Sequence, residues 1–341
     1  MSKALRSCLF AGILGGVATT PALAADFCVD TVQDLRTALE TAQANGDDDT
    51  IQIVRGTYHV GGNHLLFNSS EANSINVVGG FAVGCATRSH DAEMTVLDGD
   101  NTTQIFNVST SNDFEMHFLT LTNGAIIGSS GGAMAVFGNG AASQALLANV
   151  IIRDSTSDYG VGGVIFSVAG TVTLQDNLVT GITSPSAAVY IGSQTTVAIH
   201  FTNNTVTGNV ASNPSTSGMV YLGAAGSVPM DASNNILWDN GGVPDLDFIN
   251  GAVLLTANDY ERIDVAFGTG SSGNVSVDPG FAGSGDFHLR SDSPLLGIGA
   301  LAPPGGLTMY DLEGNLRIWN GAVDLGVYER GDVIFADGYD I

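Results

Sequence analysis

Positive charge is scarce in this sequence, and lysine is almost absent from it. The 341 residues contain 10 Lys and Arg against 34 Asp and Glu, which gives a formal net charge of −24 at pH 7. The single lysine is Lys3, so no lysine in the rest of the chain can serve as a catalytic base or form a Schiff base. The negative charge repels nucleic-acid phosphates and no basic cluster offsets it, which excludes nucleic acid as a partner.

Long apolar runs are also lacking, except for one short stretch at the N-terminus. Lys3 and Arg6 precede apolar residues 9–17, and the small residues A-L-A at 22–24 suit cleavage. This order is typical of a secretory signal peptide, and the stretch is well short of the ~20 residues of a membrane span. We therefore predict a signal peptide at residues 1–24, export, and no transmembrane segment after its removal.

Removal of that peptide leaves two cysteines, and eight arginines against 34 carboxylates, a net charge of −26. An even number of cysteines in an exported chain favours a disulfide between Cys28 and Cys85. A metal site is the alternative, but neither C-x-x-C nor H-x-x-x-H spacing accompanies the two thiols. The prediction is therefore a disulfide and no metal site formed by these cysteines.

One stretch near the start of the mature chain has helical periodicity. Apolar residues recur at helical spacing over 32–42, Asp30 or Thr31 can cap the first turn, and Asn45-Gly46 can end the helix. The rest of the chain consists of short β-type runs interrupted by Gly, Asn, Asp and Ser. We therefore expect one helix followed by strands.

The β-type runs form an internal repeat. Four of them begin with Asn at spacings of 28, 27 and 31 residues, namely Asn149, Asn177, Asn204 and Asn235. A repeat this short buries its apolar face only by stacking, with each strand parallel to the same strand of the next repeat. This pattern predicts an all-β parallel β-helix whose open N-terminal end is capped by the helix. The aligned Asn side chains would form a hydrogen-bonded ladder at a coil corner.

A second aligned position carries aromatic residues. These are Phe137, Phe166, Tyr190 and Tyr221. If the column faces inward, it fills the core; if Tyr190 and Tyr221 face outward, they form a surface for stacking against sugar rings or a partner protein. Both orientations remain open, and the two tyrosines are the predicted binding residues.

Three parts of the sequence resemble known families. The stretch CVDTVQDLRTALETAQANGDDDTIQIVRGTYHV resembles the opening of exported bacterial right-handed β-helix proteins, which have a pectin-lyase-like fold. SGGAMAVFGN and VGGVIFSVAG are similar to the GGAI-type repeats of polymorphic outer-membrane proteins. NVSVDPGF, GDFHLRSDSPLLGIGA, DLEGNLR and AVDLGVYE resemble the choice-of-anchor Q module, which ends β-helix proteins that carry interchangeable anchoring tails.

These resemblances imply a right-handed β-helix in the periplasm, on the surface or outside a Gram-negative bacterium. After the signal peptide, the predicted organisation is a cap helix with the first coils at 25–104, central repeats at 105–255, an anchor-Q-like module at 256–331 and a tail at 332–341. The tail, DVIFADGYDI, contains no apolar run long enough to span a membrane, so membrane anchoring by this end is not expected.

Many β-helix proteins cleave acidic polysaccharides, so an enzymatic function is the main alternative. A hydrolase would place two carboxylates on adjacent coils, but neither Asp154 nor Asp176 aligns with another carboxylate. A lyase would need basic residues and a calcium site, and Arg153 is the only arginine within the repeats. Calcium is weakly supported by one acid-rich stretch without a recognisable loop spacing; its members are Asp239, Asp245, Asp247, Asp259, Glu261 and Asp264.

Near the C-terminus, Arg317 is the single cation among several carboxylates. Asp311, Glu313, Asp324 and Glu329 surround it in sequence. We expect at least two of them to hold its guanidinium in a structural ion network, with an anionic ligand as the alternative partner. Taken together, the sequence predicts a non-catalytic scaffold for adhesion or glycan contact, whose partner is a glycan or a cell-surface protein; a polysaccharide lyase or hydrolase is the alternative.

Overall fold

Parallel strand pairing dominates the structure, a computed structural model that describes residues 25–140, 143–193, 195–213, 218–263 and 268–330. The strands stack into a parallel β-solenoid of about eight turns, which confirms the predicted all-β fold class. The predicted signal peptide and C-terminal tail lie outside the described residues.

The coils carry strands on up to four faces, numbered here in the order in which the chain passes through them. The first face consists of Ala25–Val29, Asp49–Val54, Ile75–Phe81, Thr171–Gln175, Ala198–Thr202 and Gly268–Ser272. The second face consists of Gly56–His59, Thr95–Asp98, Leu178–Thr180, Thr205–Thr207, Ile236–Trp238 and Asp259–Tyr260. Two long strands continue from the first face into the second: Phe114–Thr122 and Gln144–Arg153.

The remaining strands complete the coils. The third face consists of Ala125–Ile126, Thr156–Ser157, Thr183–Ser184 and Val210–Ala211. The fourth face consists of Leu65–Ser69, Phe106–Thr110, Met134–Gly138, Val164–Val168 and Val189–Ser193. Two long strands run from the fourth face into the first face of the next coil: Val220–Ser233 and Leu246–Thr256. Outside the coils lie a 3₁₀ turn, Ala92–Met94, and an antiparallel hairpin, Phe281–Gly283 with Asp286–Leu289.

The core lies inside the coils because alternate side chains of each strand point inward. On the fourth face, Val136, Phe166, Ile191 and Leu222 follow one another through four successive coils and are fully buried. The last strand of the solenoid ends at Ser272, so the coils continue into the range predicted to be the C-terminal module.

Among the described residues, one α-helix, Val32–Ala42, packs on the first coil as predicted. Thr31 is its N-cap and accepts a hydrogen bond from the Asp34 backbone N–H. Leu35 and Leu39 enter the core. Arg36 fixes the helix to the following turn by donating to the backbone oxygens of Val60, Asn63 and His64. The helix is consistent with a cap that covers the apolar end of the solenoid.

The predicted disulfide is confirmed and joins the first strand to a later loop. Cys28 and Cys85 are bonded, with their Cα atoms 5.8 Å apart. Cys28 lies opposite Gln52, whose backbone oxygen also contacts the Cys85 sulfur at 3.6 Å. The bond therefore crosses the second strand of the first face and ties the N-terminal edge strand to the coil beyond it.

Between the first and second faces, a residue in the left-handed conformation turns the chain in seven coils. Their φ values lie between 52° and 67°, and they are Phe118, Asn149, Asp176, Asn203, Asn234, Ala257 and Gly273. Asn, Asp and Gly adopt this conformation most readily. The next residue occupies a corner that is buried in six of these coils and half-buried at Asn274, and in five coils it is an asparagine.

These five asparagines form the ladder, and it is longer than the sequence indicated. Its members are Asn177, Asn204, Asn235, Asn258 and Asn274, joined by amide-to-amide hydrogen bonds of 2.8–3.1 Å. The prediction that Asn149 belongs to the ladder is wrong. Asn149 is the left-handed corner residue, and Val150 takes the ladder position and donates its backbone N–H to Asn177 Oδ1 at 3.1 Å.

Replacing Asn177 with alanine is expected to lower the free energy of unfolding by about 1–3 kcal/mol, because buried backbone groups lose their partners. The Asn177 amide donates to the Leu147 carbonyl at 2.9 Å and accepts from Val150. Asn68→Ala is the matched control, since Asn68 is exposed on a strand, and it should change stability by less than about 0.5 kcal/mol. Equal thermal melts for the two variants would contradict the ladder.

The left-handed corner residues bind the C-terminal segment, defined here as residues 289–330. Asn149 donates to the backbone oxygens of Tyr310 and Asp311, both at 3.0 Å. Asp176 accepts from the Thr308 hydroxyl. On the next coil, Asn203 donates to the backbone oxygens of Asp324 and Gly326. On the coil after that, Asn234 forms hydrogen bonds with the backbone oxygen and N–H of Ala300. These four residues, the corner row, hold the segment along the solenoid axis.

The C-terminal segment also covers an apolar column on the outside of the second face. Ile151, Leu178 and Ile236 point outward there, yet all three are buried. Leucine and valine side chains of the segment pack over them, including Leu312, Val327, Leu295 and Leu325. The second face therefore has apolar side chains on both sides.

Candidate functional site

Tyr190 and Tyr221 face outward on the fourth face. Their neighbours in the strands, Val189, Ile191 and Leu222, point into the core. The two rings are stacked on each other, with centroids 4.9 Å apart and planes inclined by 10°. One face of each ring is therefore occupied by the other tyrosine, and Tyr221 is only 9% exposed.

This geometry differs from a flat aromatic platform. The Tyr221 ring also lies beside Gly223, whereas a sugar ring stacks on an exposed aromatic face. The tyrosines instead stabilise the contact between their two coils. Their binding role stays a prediction.

The four-membered aromatic column predicted from the sequence is wrong in its register. Phe166 pairs with Val136 and Ile191 and lies in the core, whereas Phe137 pairs with Ser167 and is exposed. The residue next to Tyr190 in the preceding coil is Ile165. Phe166 is one residue beyond Ile165 and therefore lies on the opposite face from Tyr190. Phe137 is two residues beyond Ala135, the partner of Ile165, so it faces outward but in a different row.

Arg317 is completely buried and connects the C-terminal segment to the solenoid. Its Nη2 lies 2.5 Å from Asp176 Oδ1, although at angles that do not meet hydrogen-bond geometry, and Nη1 lies 3.5 Å from Glu329 Oε2. The guanidinium also donates to the backbone oxygens of Gly326 and Val327 at 3.0 and 2.6 Å. Two carboxylates therefore contact Arg317, but only Glu329 belongs to the predicted set, so the prediction that at least two of the nearby acids hold it is wrong.

The other predicted members have different partners. Asp311 accepts backbone N–H groups of Glu313, Asn315 and Glu329. Asp324 accepts those of Gly297 and Arg330. Asp176 could not be predicted as a partner of Arg317 because it lies 141 residues before Arg317 in the sequence. The alignment of the repeats shows only that Asp176 has no other carboxylate beside it on the adjacent coils.

Burial raises the pKa of both carboxyl groups around Arg317, and Arg317 opposes this shift. The pKa of Asp176 rises to about 7, mainly through desolvation. The pKa of Glu329 rises to about 8 through desolvation and the nearby Asp324 carboxylate. Both side chains are nearly sealed from solvent, with 0% and 5% of their surface exposed. These shifts follow from structural burial.

The acid-rich stretch does not form a cluster of ligands among its described members. Asp245 and Asp259 are buried, and the Asp245 carboxylate accepts hydrogen bonds from Asn240 and the Arg262 backbone N–H. Asp264 lies outside the described residues. The sequence predicts no cofactor, and calcium at this stretch stays the alternative to solvated carboxylates.

Within the described residues, one group brings a His and two carboxylates within 4.8 Å of one another. It consists of His59, Asp98 and Asp100, on the edge of the second face. His59 Nδ1 lies 2.7 Å from Asp100 Oδ1, and Asp98 Oδ1 already accepts from the Asp100 backbone and from Asn123. The group is satisfied internally and largely exposed.

A cavity of about 880 Å³ lies between the antiparallel hairpin and the end of the C-terminal segment. It is called the C-terminal cavity here, and its lining residues are Ala282, His288, Leu289, Arg290, Ser291, Asp292, Asn315, Tyr328, Glu329 and Arg330. The lining combines guanidinium, amide, hydroxyl and carboxylate groups with the Tyr328 ring. No site is predicted here from the sequence, because the lining residues come from three separate stretches of the chain.

His288 and Tyr328 form one wall of the cavity. Their rings stack with centroids 4.0 Å apart. His288 Nδ1 lies 2.6 Å from Asp286 Oδ1 and Nε2 lies 3.1 Å from Glu313 Oε2. These carboxylates raise the pKa of His288 to about 9, with Glu313 as the largest cause, so the ring is positively charged at neutral pH.

Two arginines also line the cavity. Arg330 Nη1 donates to the Leu289 carbonyl at 3.1 Å, and its backbone N–H donates to Asp324. Arg290 Nε donates to Asp292 at 3.1 Å, and its Nη1 donates to the Phe281 carbonyl at 3.3 Å. A protein with 10 basic residues in 341 thus places two of them around one cavity.

Comparison of the chain with protein-family models, curated proteins and solved structures gave no match. Among the described residues, no helix is long and apolar enough to cross a membrane. The site is therefore interpreted from its own geometry.

Proposed function

We propose that this chain is an exported, non-catalytic β-solenoid scaffold that contacts glycans at the cell surface or outside the cell, with the C-terminal cavity as the contact site. The cavity carries the proposal, because its volume of about 880 Å³ lies within the range of small-ligand sites. Its planar polar groups can hydrogen-bond sugar hydroxyls. Export is supported by the N-terminal sequence pattern and by the disulfide, which is typical of an oxidising compartment.

The buried carboxyl groups support a scaffold. Asp176, Asp245 and Asp259 have raised pKa values of about 7, 6 and 7, mainly through desolvation, but all three are 0% exposed. A catalytic acid or base must reach its substrate. These groups lie instead in the contacts that hold the coils and the C-terminal segment together.

A glycan-cleaving enzyme is the second candidate, and Glu329 is the observation that favours it. This residue lines the cavity, and its pKa of about 8 would keep it protonated as a general acid. Its Oε2, however, accepts the Asp324 backbone N–H at 3.1 Å and faces Arg317. Release of reducing ends from labelled glycans by the wild type, and loss of that release in Glu329→Gln, would favour the enzyme over the scaffold.

Filling the cavity is expected to abolish glycan binding. The mature protein and Ser291→Trp should be compared on a glycan array, since Ser291 lines the cavity and is exposed. The indole would occupy the space of a sugar ring, so we expect a loss of at least about tenfold in apparent affinity. Ser70→Trp, at an exposed position on the first coil, is the matched control and should bind like the wild type. Unchanged binding by Ser291→Trp would place the glycan elsewhere, with Tyr190 and Tyr221 as the next residues to test.

A further inference from the structure

Two arginines that line the C-terminal cavity, Arg290 and Arg330, keep unused hydrogen-bond donors. A guanidinium has five N–H donors. In the described contacts, the side chain of Arg330 uses one donor, toward Leu289, and that of Arg290 uses two, toward Asp292 and Phe281. The remaining N–H groups of these two arginines are available to a ligand.

Part of the remaining lining is already engaged. Glu329 Oε2 accepts the Asp324 N–H and faces Arg317, while Asp292 Oδ1 accepts from Arg290. Both nitrogens of the charged His288 ring contact carboxylates, Asp286 and Glu313. The group that complements the unused guanidinium N–H groups is an acceptor with at least two oxygens.

From the unused N–H groups of these two arginines, we infer that the C-terminal cavity binds a sugar acid, with the sugar carboxylate held by Arg290 and Arg330. This inference rests on the proposed glycan-contacting function and names its ligand class. A carboxylate accepts parallel hydrogen bonds from a guanidinium fork, which a neutral sugar hydroxyl does not reproduce. The ring of the sugar would lie against Tyr328 and Ala282, which also line the cavity.

The charge of the whole chain limits the ligand to a single acidic residue or a short acidic glycan. The formal charge of −24 repels a long polyanion. At physiological ionic strength, however, charges beyond about 8 Å are largely screened. One carboxylate inside the cavity therefore responds chiefly to the two arginines, whereas a polymer would also meet the acidic surface outside it.

Glucuronate and glucose provide a matched pair of probes, because they differ only in a carboxylate in place of a hydroxymethyl group. Calorimetric titration of the mature protein is expected to show that glucuronate binds about tenfold or more tightly than glucose. In a competition titration, acetate should bind more weakly than glucuronate, because acetate lacks the sugar ring.

Two variants should shift the affinity in opposite directions. Arg290→Gln is expected to weaken glucuronate binding about tenfold or more, whereas Asp292→Asn removes the acid that competes for Arg290 and should strengthen it. A damaged fold cannot produce the second effect. Arg55→Gln, at an exposed position on the first coils, is the control and should leave the affinity unchanged.

The possible failures are distinguishable. Equal binding of glucose and glucuronate would overturn the sugar-acid inference but leave the proposed glycan contact intact. If acetate binds as tightly as glucuronate, the inferred recognition of the sugar ring is wrong and the cavity is a site for a carboxylate alone. Binding of neither sugar would overturn both the inference and the use of this cavity for glycans. Unchanged affinity in Arg290→Gln, with wild-type melting, would also overturn the inference.

Discussion

Replacing Arg317 with alanine is expected to lower the free energy of unfolding by about 3–5 kcal/mol at pH 7, since removing one partner of a buried ion pair leaves the other uncompensated. The variant loses the contact with Asp176 and the hydrogen bonds to the Gly326 and Val327 backbone oxygens. Thermal melting and urea unfolding of the mature protein measure the effect. Arg55→Ala, which removes an exposed arginine, should stay within about 0.5 kcal/mol of wild type.

Acidification is expected to narrow the difference in stability between the wild type and Arg317→Ala. The folded pKa values of Asp176 and Glu329, about 7 and 8, lie above the ordinary values of 3.8 and 4.5. For such groups, the proton-linked contribution to stability is complete below the ordinary pKa and is lost as the pH rises through the folded pKa. Arg317 offsets that loss in the wild type, and the alanine variant has no such offset. The gap should therefore be largest above pH 8 and shrink toward pH 5.

A second substitution separates charge from packing. Asp176→Asn in the Arg317→Ala background removes the uncompensated carboxylate, so the double variant should be destabilised by less than the sum of the single variants. An additive result, or an Arg317→Ala variant that melts like wild type at neutral pH, would contradict the structural role and leave the arginine to an anionic ligand.

Loss of the Cys28–Cys85 bond is the other large expected effect. The two cysteines are 57 residues apart, so the loop-entropy estimate for their crosslink is about 4 kcal/mol. Cys28→Ser/Cys85→Ser should therefore unfold at a markedly lower temperature. Within the part of the chain that the structure describes, the edge strand Ala25–Val29 pairs only with Asp49–Val54, so its amides should also exchange faster.

Reduction provides the control for this prediction. Dithiothreitol should lower the melting temperature of the wild type to that of the double variant, and leave the double variant unchanged. Mass spectrometry of the unreduced mature protein should find no free thiol. Two free thiols in that sample, or equal melting of wild type and double variant without reductant, would contradict a stabilising disulfide.

The solenoid could be predicted from the sequence because the repeat carries two independent signals, the apolar runs and the corner asparagines. The same corners explain the error at Asn149. The left-handed position and the ladder position are adjacent, and both favour asparagine. Where both are polar, as in Asp176-Asn177 and Asn203-Asn204, the alignment is unambiguous. In the Asn149-Val150 coil only the left-handed position is polar, so its asparagine was assigned to the ladder.

The contacts of the C-terminal segment could not be predicted in the same way. Consecutive apolar pairs such as Ile151-Ile152 and Ile236-Leu237 indicate a strand buried on both sides, but they do not identify what covers the outer side. The sequence placed Arg317 among nearby carboxylates because it shows only local neighbours. The partner on the solenoid, Asp176, becomes visible only when the segment lies across the coils. The C-terminal cavity is hidden for the same reason.

The corner row also has a consequence for how the protein folds. In a simple solenoid, each coil contacts only its neighbours, so coils can add one at a time and can fray one at a time. Here the segment bonds to four successive coils across separations from 66 residues at Asn234 to 162 residues at Asn149. The coils can stack as the chain emerges, but the outer apolar column stays uncovered until the end of the chain arrives. The segment therefore docks late, through contacts between residues that are far apart in the sequence. Once it has docked, the coils fold and unfold cooperatively rather than one at a time.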